Sequence, residues 1–252
     1  MNKVQAAIDR IKIASKIAER HGEKLIVCFS GGKDSQVMFD LVKRAGVPFR
    51  AVYNVTTIDH PLNVNFIRTH YPEVEFIYPQ MNFWELCKKK KALPTIKMRF
   101  CCSLLKEYYG GFIRAIGCRR EESNKRSKYI VFSKDRNGFR FYPIIDFTEL
   151  DIWEYIEENG LPVNPCYEFG TRVGCMICPF ASPKQIQARF NEFPRLRIKM
   201  LTLIKELREN GYAYNYQNKT DEDLLNWWMS KKNIREYFQP EFDFQQSPIQ
   251  KK

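Results

Sequence analysis

The chain has 252 residues, 44% of them hydrophobic, and a formal net charge of +12. This length suits one catalytic domain with a modest extension and its own hydrophobic core. No apolar run approaches the roughly 20 residues a membrane-spanning helix needs. The N-terminal segment carries charges throughout its apolar pattern and does not read as a signal peptide, so a cytoplasmic protein without membrane association is expected. In a reducing compartment the eight cysteines point to metal binding or thiol chemistry and away from a disulfide framework. The basic surplus favours polyanionic partners, nucleic acid above all, although enzymes of phosphorylated substrates are often basic too.

Residues 2–20 place Val4, Ile8, Ile11, Ile13 and Ile17 near helical spacing. The run KLIVCFS is continuous and apolar, as a buried parallel strand requires. A glycine turn follows, then DSQVMFDLVKRAG reads as a helix that stops at Gly46. FRAVYNV is the next strand, residues 61–70 form a helix, and VEFIYP is a third strand. FIRAIGC and FRFYPII read as two more, and a helix capped by Thr148 runs to Asn159. This alternation predicts an α/β fold with a doubly wound, mainly parallel sheet. Past Pro183 the pattern changes to one long basic helix over 184–209 and then a segment rich in Tyr, Trp and Lys. The expected division is a nucleotide-binding domain over 1–182 and a helical, basic and aromatic C-terminal extension over 183–252.

Strand, Ser30-Gly31-Gly32-Lys33-Asp34-Ser35, helix is the arrangement of an anion-binding turn. Gly31 and Gly32 let the backbone turn sharply and approach an anion. The turn's N–H groups and the helix N-terminus would face phosphate oxygens. Ser30 and Ser35 add hydroxyls, Lys33 a positive charge, and Asp34 a carboxylate for the Mg²⁺ that accompanies ATP. The spacing is not that of a Walker A loop.

Cys101 and Cys102 are adjacent, and Cys175 and Cys178 form a C-x-x-C. Four thiolates can bind zinc or an iron–sulfur cluster. A vicinal pair converges poorly on one tetrahedral zinc, whereas a [4Fe–4S] cube offers each thiolate its own iron. Unligated thiols are the third reading. Cys28 reads as core, and Cys87, Cys118 and Cys166 have no partner spacing, with Cys118 and Cys166 kept as thiols for redox or sulfur relay. Arg119, Arg120 and Arg126 in GCRREESNKR suit bidentate recognition of a phosphate or sulfate. Arg172 could lie near both cysteines and substrate. Lys88–Lys91 is the only charge run. Arg189, Arg195, Arg197, Lys199, Lys205 and Arg208 punctuate the long C-terminal helix, with Tyr212, Tyr214, Tyr216, Trp227 and Trp228 after it. Such residues can stack bases and hold phosphates, but Trp227 and Trp228 read better as the core of a small helical cap.

SGGKDS after an apolar strand resembles the PP-loop of the N-type ATP pyrophosphatases, which have the adenine nucleotide alpha hydrolase-like fold. NVTTIDHP, MRFCCSLLK, GCRREESNKR, PIIDFTELDIWEYIEENGLPVNPCYEFG and GCMICP extend the likeness, in order, to the PAPS reductase-like branch over residues 24–182. The resemblance implies ATP cleavage between the α and β phosphates, with the loop holding pyrophosphate. It implies Lys33 and Asp34 as catalytic residues and Thr57, Arg119, Arg120 and Arg126 as nucleotide contacts. It also implies a [4Fe–4S] cluster on Cys101, Cys102, Cys175 and Cys178, zinc being the lesser alternative. The function expected is adenylation of an acceptor for sulfur transfer, the acceptor being DNA or tRNA and the donor a cysteine desulfurase. The alternative is an APS or PAPS reductase. Against it, reductases of that family carry a nucleophilic cysteine near the C-terminus, and here none follows Cys178.

Overall fold

The computed structural model describes residues 2–107, 110–135, 138–168, 170, 173–210 and 219–238. The chain divides into two compact units, Met1–Leu86 with Arg99–Cys178 and Cys87–Met98 with Pro179–Lys252.

The first unit is built on a six-stranded sheet: β1 (Leu25–Cys28), β2 (Phe49–Asn54), β3 (Glu75–Ile77), β4 (Ile113–Ile116), β5 (Phe132–Asp135) and β6 (Gly138–Phe141). The spatial order is β3-β2-β1-β4-β6-β5. Every pairing is parallel except β5 with β6. The chain winds outward from β1 in one direction through β2 and β3, then in the other through β4. A switch point therefore lies between the carboxyl ends of β1 and β4, where open α/β sheets bind their ligands.

Helices α1 (Lys3–Arg20), α2 (Lys33–Ala45), α3 (Pro61–His70) and α5 (Glu149–Glu158) follow the expected pattern, while α4 (Phe83–Lys90) was not among the expected elements. All four residues of β1 are buried, as its unbroken apolar run requires. Helix α1 buries Ala7, Ile8, Ile11, Ala14 and Ala18. Ile13 is exposed, because it lies about 200° round the helix from Ile11. Helix α2 buries Val37, Met38, Leu41 and Val42 and ends at Gly46, whose φ of 65° is the left-handed cap expected of glycine. Thr148 caps α5 by accepting the Asp151 N–H. FRFYPII is strand only to Phe141. Strand β5 was not expected, since FSKD lacks an apolar pattern, but it pairs as a hairpin edge with β6.

The second unit contains α6 (Pro183–Glu192), α7 (Pro194–Glu209), α8 (Asp221–Ser230) and α9 (Ile234–Phe238). The single helix expected over 184–209 is thus two. Pro194 has no N–H and bars its predecessor from the helical region, and Phe193 accordingly sits at φ −126°, ψ 76°. Trp227 and Trp228 are buried, their indole N–H groups donating to the carbonyls of Lys232 and Pro94. Tyr212, Tyr214 and Tyr216 lie outside the described residues.

Candidate functional site

The turn after β1 is held from behind. The Ser30 carbonyl accepts from Asn63 Nδ2 at 3.2 Å, and the Gly31 carbonyl from Gln36 Nε2 at 3.1 Å and Asn164 Nδ2 at 2.9 Å. Asn164 also donates to Asn63 Oδ1 at 2.7 Å, and Tyr71 donates to Gln36 Oε1 at 2.9 Å. Gln36, Asn63 and Asn164 are all buried. A trans peptide points its N–H opposite its carbonyl. Anchoring these two carbonyls inward therefore turns the N–H groups of Gly31 and Gly32 away from the anchoring amides. Gly31 has φ 77°, and a Cβ there would lie 2.2 Å from Asn63 Oδ1, so the position demands glycine twice over. In front, Ser30 Oγ lies 3.0 Å from Ser35 Oγ, which donates to the Gly32 carbonyl at 2.8 Å.

Charges gather where α2 begins. Lys33 is buried, with its ammonium 3.4 Å from Glu149 Oε1 and 3.9 Å from Asp34 Oδ2. That ammonium lies over the rings of Trp153 and Tyr167 at 5.7 and 5.6 Å. The Lys33 N–H donates to the Tyr167 hydroxyl at 2.8 Å. Asp34 Oδ1 accepts from Arg119 Nε at 2.5 Å, and buried Arg119 also reaches Glu121 at 3.2 Å. Asp34 is therefore neutralised by the guanidinium and has less charge to offer Mg²⁺ than the sequence suggests.

The structure gathers Ser30, Gly31, Gly32, Lys33, Asp34, Ser35 and Arg119 at the turn, while the other expected nucleotide contacts have protein partners of their own. Arg120 bonds Asp146 and the Tyr129 carbonyl, and Arg126 pairs with Glu122. Thr57, at φ 65°, uses its hydroxyl to accept the Phe83 N–H at 2.8 Å. Arg172 lies outside the described residues. Sequence reading missed Asn63, Asn164, Tyr167 and Glu149. The last three lie within the stretch that carried the resemblance, but nothing local ties them to the turn, because their partners there are more than a hundred positions away.

The cysteines form a second group. Cys175 forms an antiparallel bridge with Asp59, and the Met176 N–H donates to the Ile58 carbonyl at 2.9 Å, which docks the C-x-x-C against the segment leaving β2. The Cys175 thiol donates to Thr56 Oγ1 at 3.4 Å, and Thr56 donates to Asp59 Oδ1 at 2.8 Å. Cys101 precedes a π-helical turn over Cys102–Lys106 and lies within electrostatic reach of Cys102, Cys175 and Cys178. A hydrogen bond from Cys101 lowers the Cys102 thiol, with Lys106 and Arg99 adding to the effect, while the shared proton raises Cys101. Burial pushes Cys175 up to about 11, against the pull of Lys106.

Among the described residues no group of three His, Cys, Asp or Glu side chains is arranged to hold a metal ion. Cys101 nonetheless shares one neighbourhood with Cys102, Cys175 and Cys178. Four thiols are a donor set that suits either zinc or an iron–sulfur cluster. Cys28, Cys87, Cys118 and Cys166 are all buried. Burial raises the first three thiols, Cys87 to about 12.

Residues 24–181 match the phosphoadenosine phosphosulfate reductase domain. An uncharacterized protein of Methanocaldococcus jannaschii is 29% identical over 218 residues, covering 81% of this chain and 51% of that one. An adenosine 5'-phosphosulfate reductase of Bacillus subtilis is 25% identical over 191 residues, covering 70% and 81%. This chain spans about half the length of the archaeal relatives it matches. Among solved structures, the phosphoadenylyl-sulfate reductase of Candida auris, in a phosphate complex, superimposes with a TM-score of 0.50 at 17% identity, over 66% of this chain and 87% of that one, a likeness of fold. The anchored turn, the switch point and all four paired cysteines fall inside the matched span, and the chain belongs to the phosphoadenosine phosphosulfate reductase domain family.

Proposed function

We propose that this protein is an ATP pyrophosphatase that adenylates an acceptor oxygen so that sulfur can replace it. The observation that carries this reading is the complete SGGKDS turn at the switch point, its carbonyls anchored by Asn63, Gln36 and Asn164. In the proposed reaction the acceptor oxygen attacks the α-phosphorus and the bond to the α–β bridging oxygen breaks. AMP stays on the acceptor, and pyrophosphate leaves with the bond's electron pair. Charge develops on the leaving group, and the protein's task is to neutralise it in place. The Gly31 and Gly32 N–H groups, the Ser30 and Ser35 hydroxyls and the positive end of α2 would hold pyrophosphate, with Lys33 adding a charge. Mg²⁺ enters as the companion of ATP. Asp34 acts through Arg119, which it holds beside the turn.

Cys101, Cys102, Cys175 and Cys178 would hold a [4Fe–4S] cluster, which supplies redox-capable iron when bound. The acceptor in this reading is a nucleic acid, a DNA phosphate or a tRNA base, and the sulfur comes from a donor of the cysteine desulfurase type. The net charge of +12 supports a polyanionic acceptor. Part of the expected basic surface is internally paired, however: Arg189 with Glu192, Arg197 with Glu222, Arg208 with Asp221 and Lys88 with Glu206. Exposed Lys89, Lys90, Arg195 and Lys199 are the better candidates for backbone contact.

The second reading, sulfonucleotide reduction, is favoured by similarity to adenosine 5'-phosphosulfate reductases at 25 to 26% identity. That chemistry needs a reactive thiol to attack the sulfuryl group. Cys28, Cys87 and Cys118 are buried with raised pKa values, which suits them poorly to it. Two assays separate the readings. ATP should yield AMP and pyrophosphate with the wild type and neither with Gly31→Ala. Sulfite released from adenosine 5'-phosphosulfate in the presence of thioredoxin would favour the reductase.

A further inference from the structure

The two groups of Lys33 that a polyphosphate would use are both engaged by oxygens of the protein itself. The backbone N–H, the first of α2, donates to the Tyr167 hydroxyl at 2.8 Å. The ammonium lies 3.4 Å from Glu149 Oε1. A helix-start amide and a lysine are the usual partners of phosphate oxygens. Here a phenol and a carboxylate take those positions.

Both oxygens are placed by design of the fold. Tyr167 closes the short turn Pro165–Tyr167, whose cap Asn164 accepts the Cys166 N–H at 3.0 Å. The same Asn164 binds the Gly31 carbonyl, so the turn carrying Tyr167 and the phosphate turn share one anchor. The Trp153 ring meets Tyr167 at 5.5 Å and 72°, and fixes its plane. Glu149 is the first residue of α5, and its N–H donates to Glu121 Oε2 at 2.8 Å.

We propose that Tyr167 and Glu149 are internal stand-ins for phosphate oxygens, and that they set the affinity threshold a polyphosphate must exceed to enter the site. This rests on the reading of the turn as a pyrophosphate site and adds the residues that select its occupant. The exchange favours a strongly charged ligand. Tyr167 is a neutral acceptor, its hydroxyl pushed up to about 12 chiefly by burial. A phosphate oxygen makes a charge-assisted bond to the same N–H, roughly twice as strong. It also draws the Lys33 ammonium from a carboxylate that is half exposed and therefore weakly held.

The sign of the effect distinguishes this role from a structural or ligand-holding one. Removing a competitor tightens binding, whereas removing a support weakens it. The experiment is calorimetric titration of inorganic pyrophosphate into wild type, Tyr167→Phe and Glu149→Gln, with melting temperatures as a check on folding. Phe keeps the ring against Trp153, so the fold is retained. Pyrophosphate should bind about 5-fold tighter to Tyr167→Phe, the worth of one neutral hydrogen bond. It should bind about 3-fold tighter to Glu149→Gln, the worth of a half-exposed ion pair. Wild-type binding that is unchanged or weakened in both variants overturns the inference and leaves the pyrophosphate site standing. No binding by any of the three proteins overturns the site and the inference together.

Discussion

Arg119 donates from Nε to Asp34 Oδ1 at 2.5 Å, tying the turn after β4 to the first turn of α2 across the switch point of the sheet. Arg119 is 3% exposed, so the pair is largely removed from water. Arg119→Ala strands Asp34 beside Glu121 and Glu149 with no guanidinium among them. The expected cost is about 3 kcal/mol of folding stability, as for other buried pairs deprived of one partner. Urea denaturation measures it. Arg119→Lys keeps the charge but loses the planar fork and should recover only part of the loss.

Asn164 is completely buried and joins three segments: the Gly31 carbonyl, Asn63 Oδ1 and the Cys166 N–H. Asn164→Ala leaves those groups without this partner, at about 3 kcal/mol in total. In a chain of this length the melting temperature should fall by roughly 10 °C. Nucleotide affinity should fall as well, since the turn loses an anchor. A melting temperature within a degree or two of wild type would show that Asn164 does not pin the turn.

The cysteine group makes two linked predictions. Protein purified without oxygen should contain iron near four per chain, and Ser at Cys101, Cys102, Cys175 or Cys178 should bleach it, while Ser at Cys28 or Cys87 should not. In metal-free protein Cys102 should alkylate first. Its thiol is lowered by the hydrogen bond from Cys101, so at neutral pH it carries more thiolate than the other cysteines. Cys175 and Cys87, raised to about 11 and 12, should stay unreactive until far more alkaline pH. Mass spectrometry of partly alkylated protein gives the order.

Nucleic-acid binding should weaken steeply with salt, with a log–log slope of about −4 on duplex DNA if several phosphates are contacted. Neutralising Lys89, Lys90, Arg195 and Lys199, all exposed, should flatten that slope. Neutralising Arg197 should do less, because Glu222 already pairs with it at 2.7 Å. A slope that all five substitutions leave unchanged would remove the second unit from the binding face.

Much of this was legible in the sequence where the chain speaks locally. The apolar run Leu25–Cys28, the glycines at 31 and 32 and the helix stop at Gly46 each act through their own backbone or immediate neighbours. Pro194 was equally legible and was overridden by the apolar periodicity on either side of it. What stayed hidden was contact across the fold. Tyr167 reaches Lys33 over 134 positions and Asn164 reaches Gly31 over 133, and no spacing rule connects such pairs. The arginine-rich segment shows the same limit. Composition makes Arg119, Arg120 and Arg126 alike, and only the fold sends Arg119 to Asp34 while Arg120 goes to Asp146 and Arg126 to Glu122.

The most direct measurement follows the γ-phosphate. ATP labelled at that position is incubated with Mg²⁺, anaerobically prepared protein and a nucleic-acid acceptor, and the labelled products are separated. The anchored SGGKDS turn predicts that the label leaves in pyrophosphate, in step with AMP, and that Gly31→Ala abolishes it. Label leaving as orthophosphate with ADP as the partner product would contradict the account, because it places the cut at the β–γ bond.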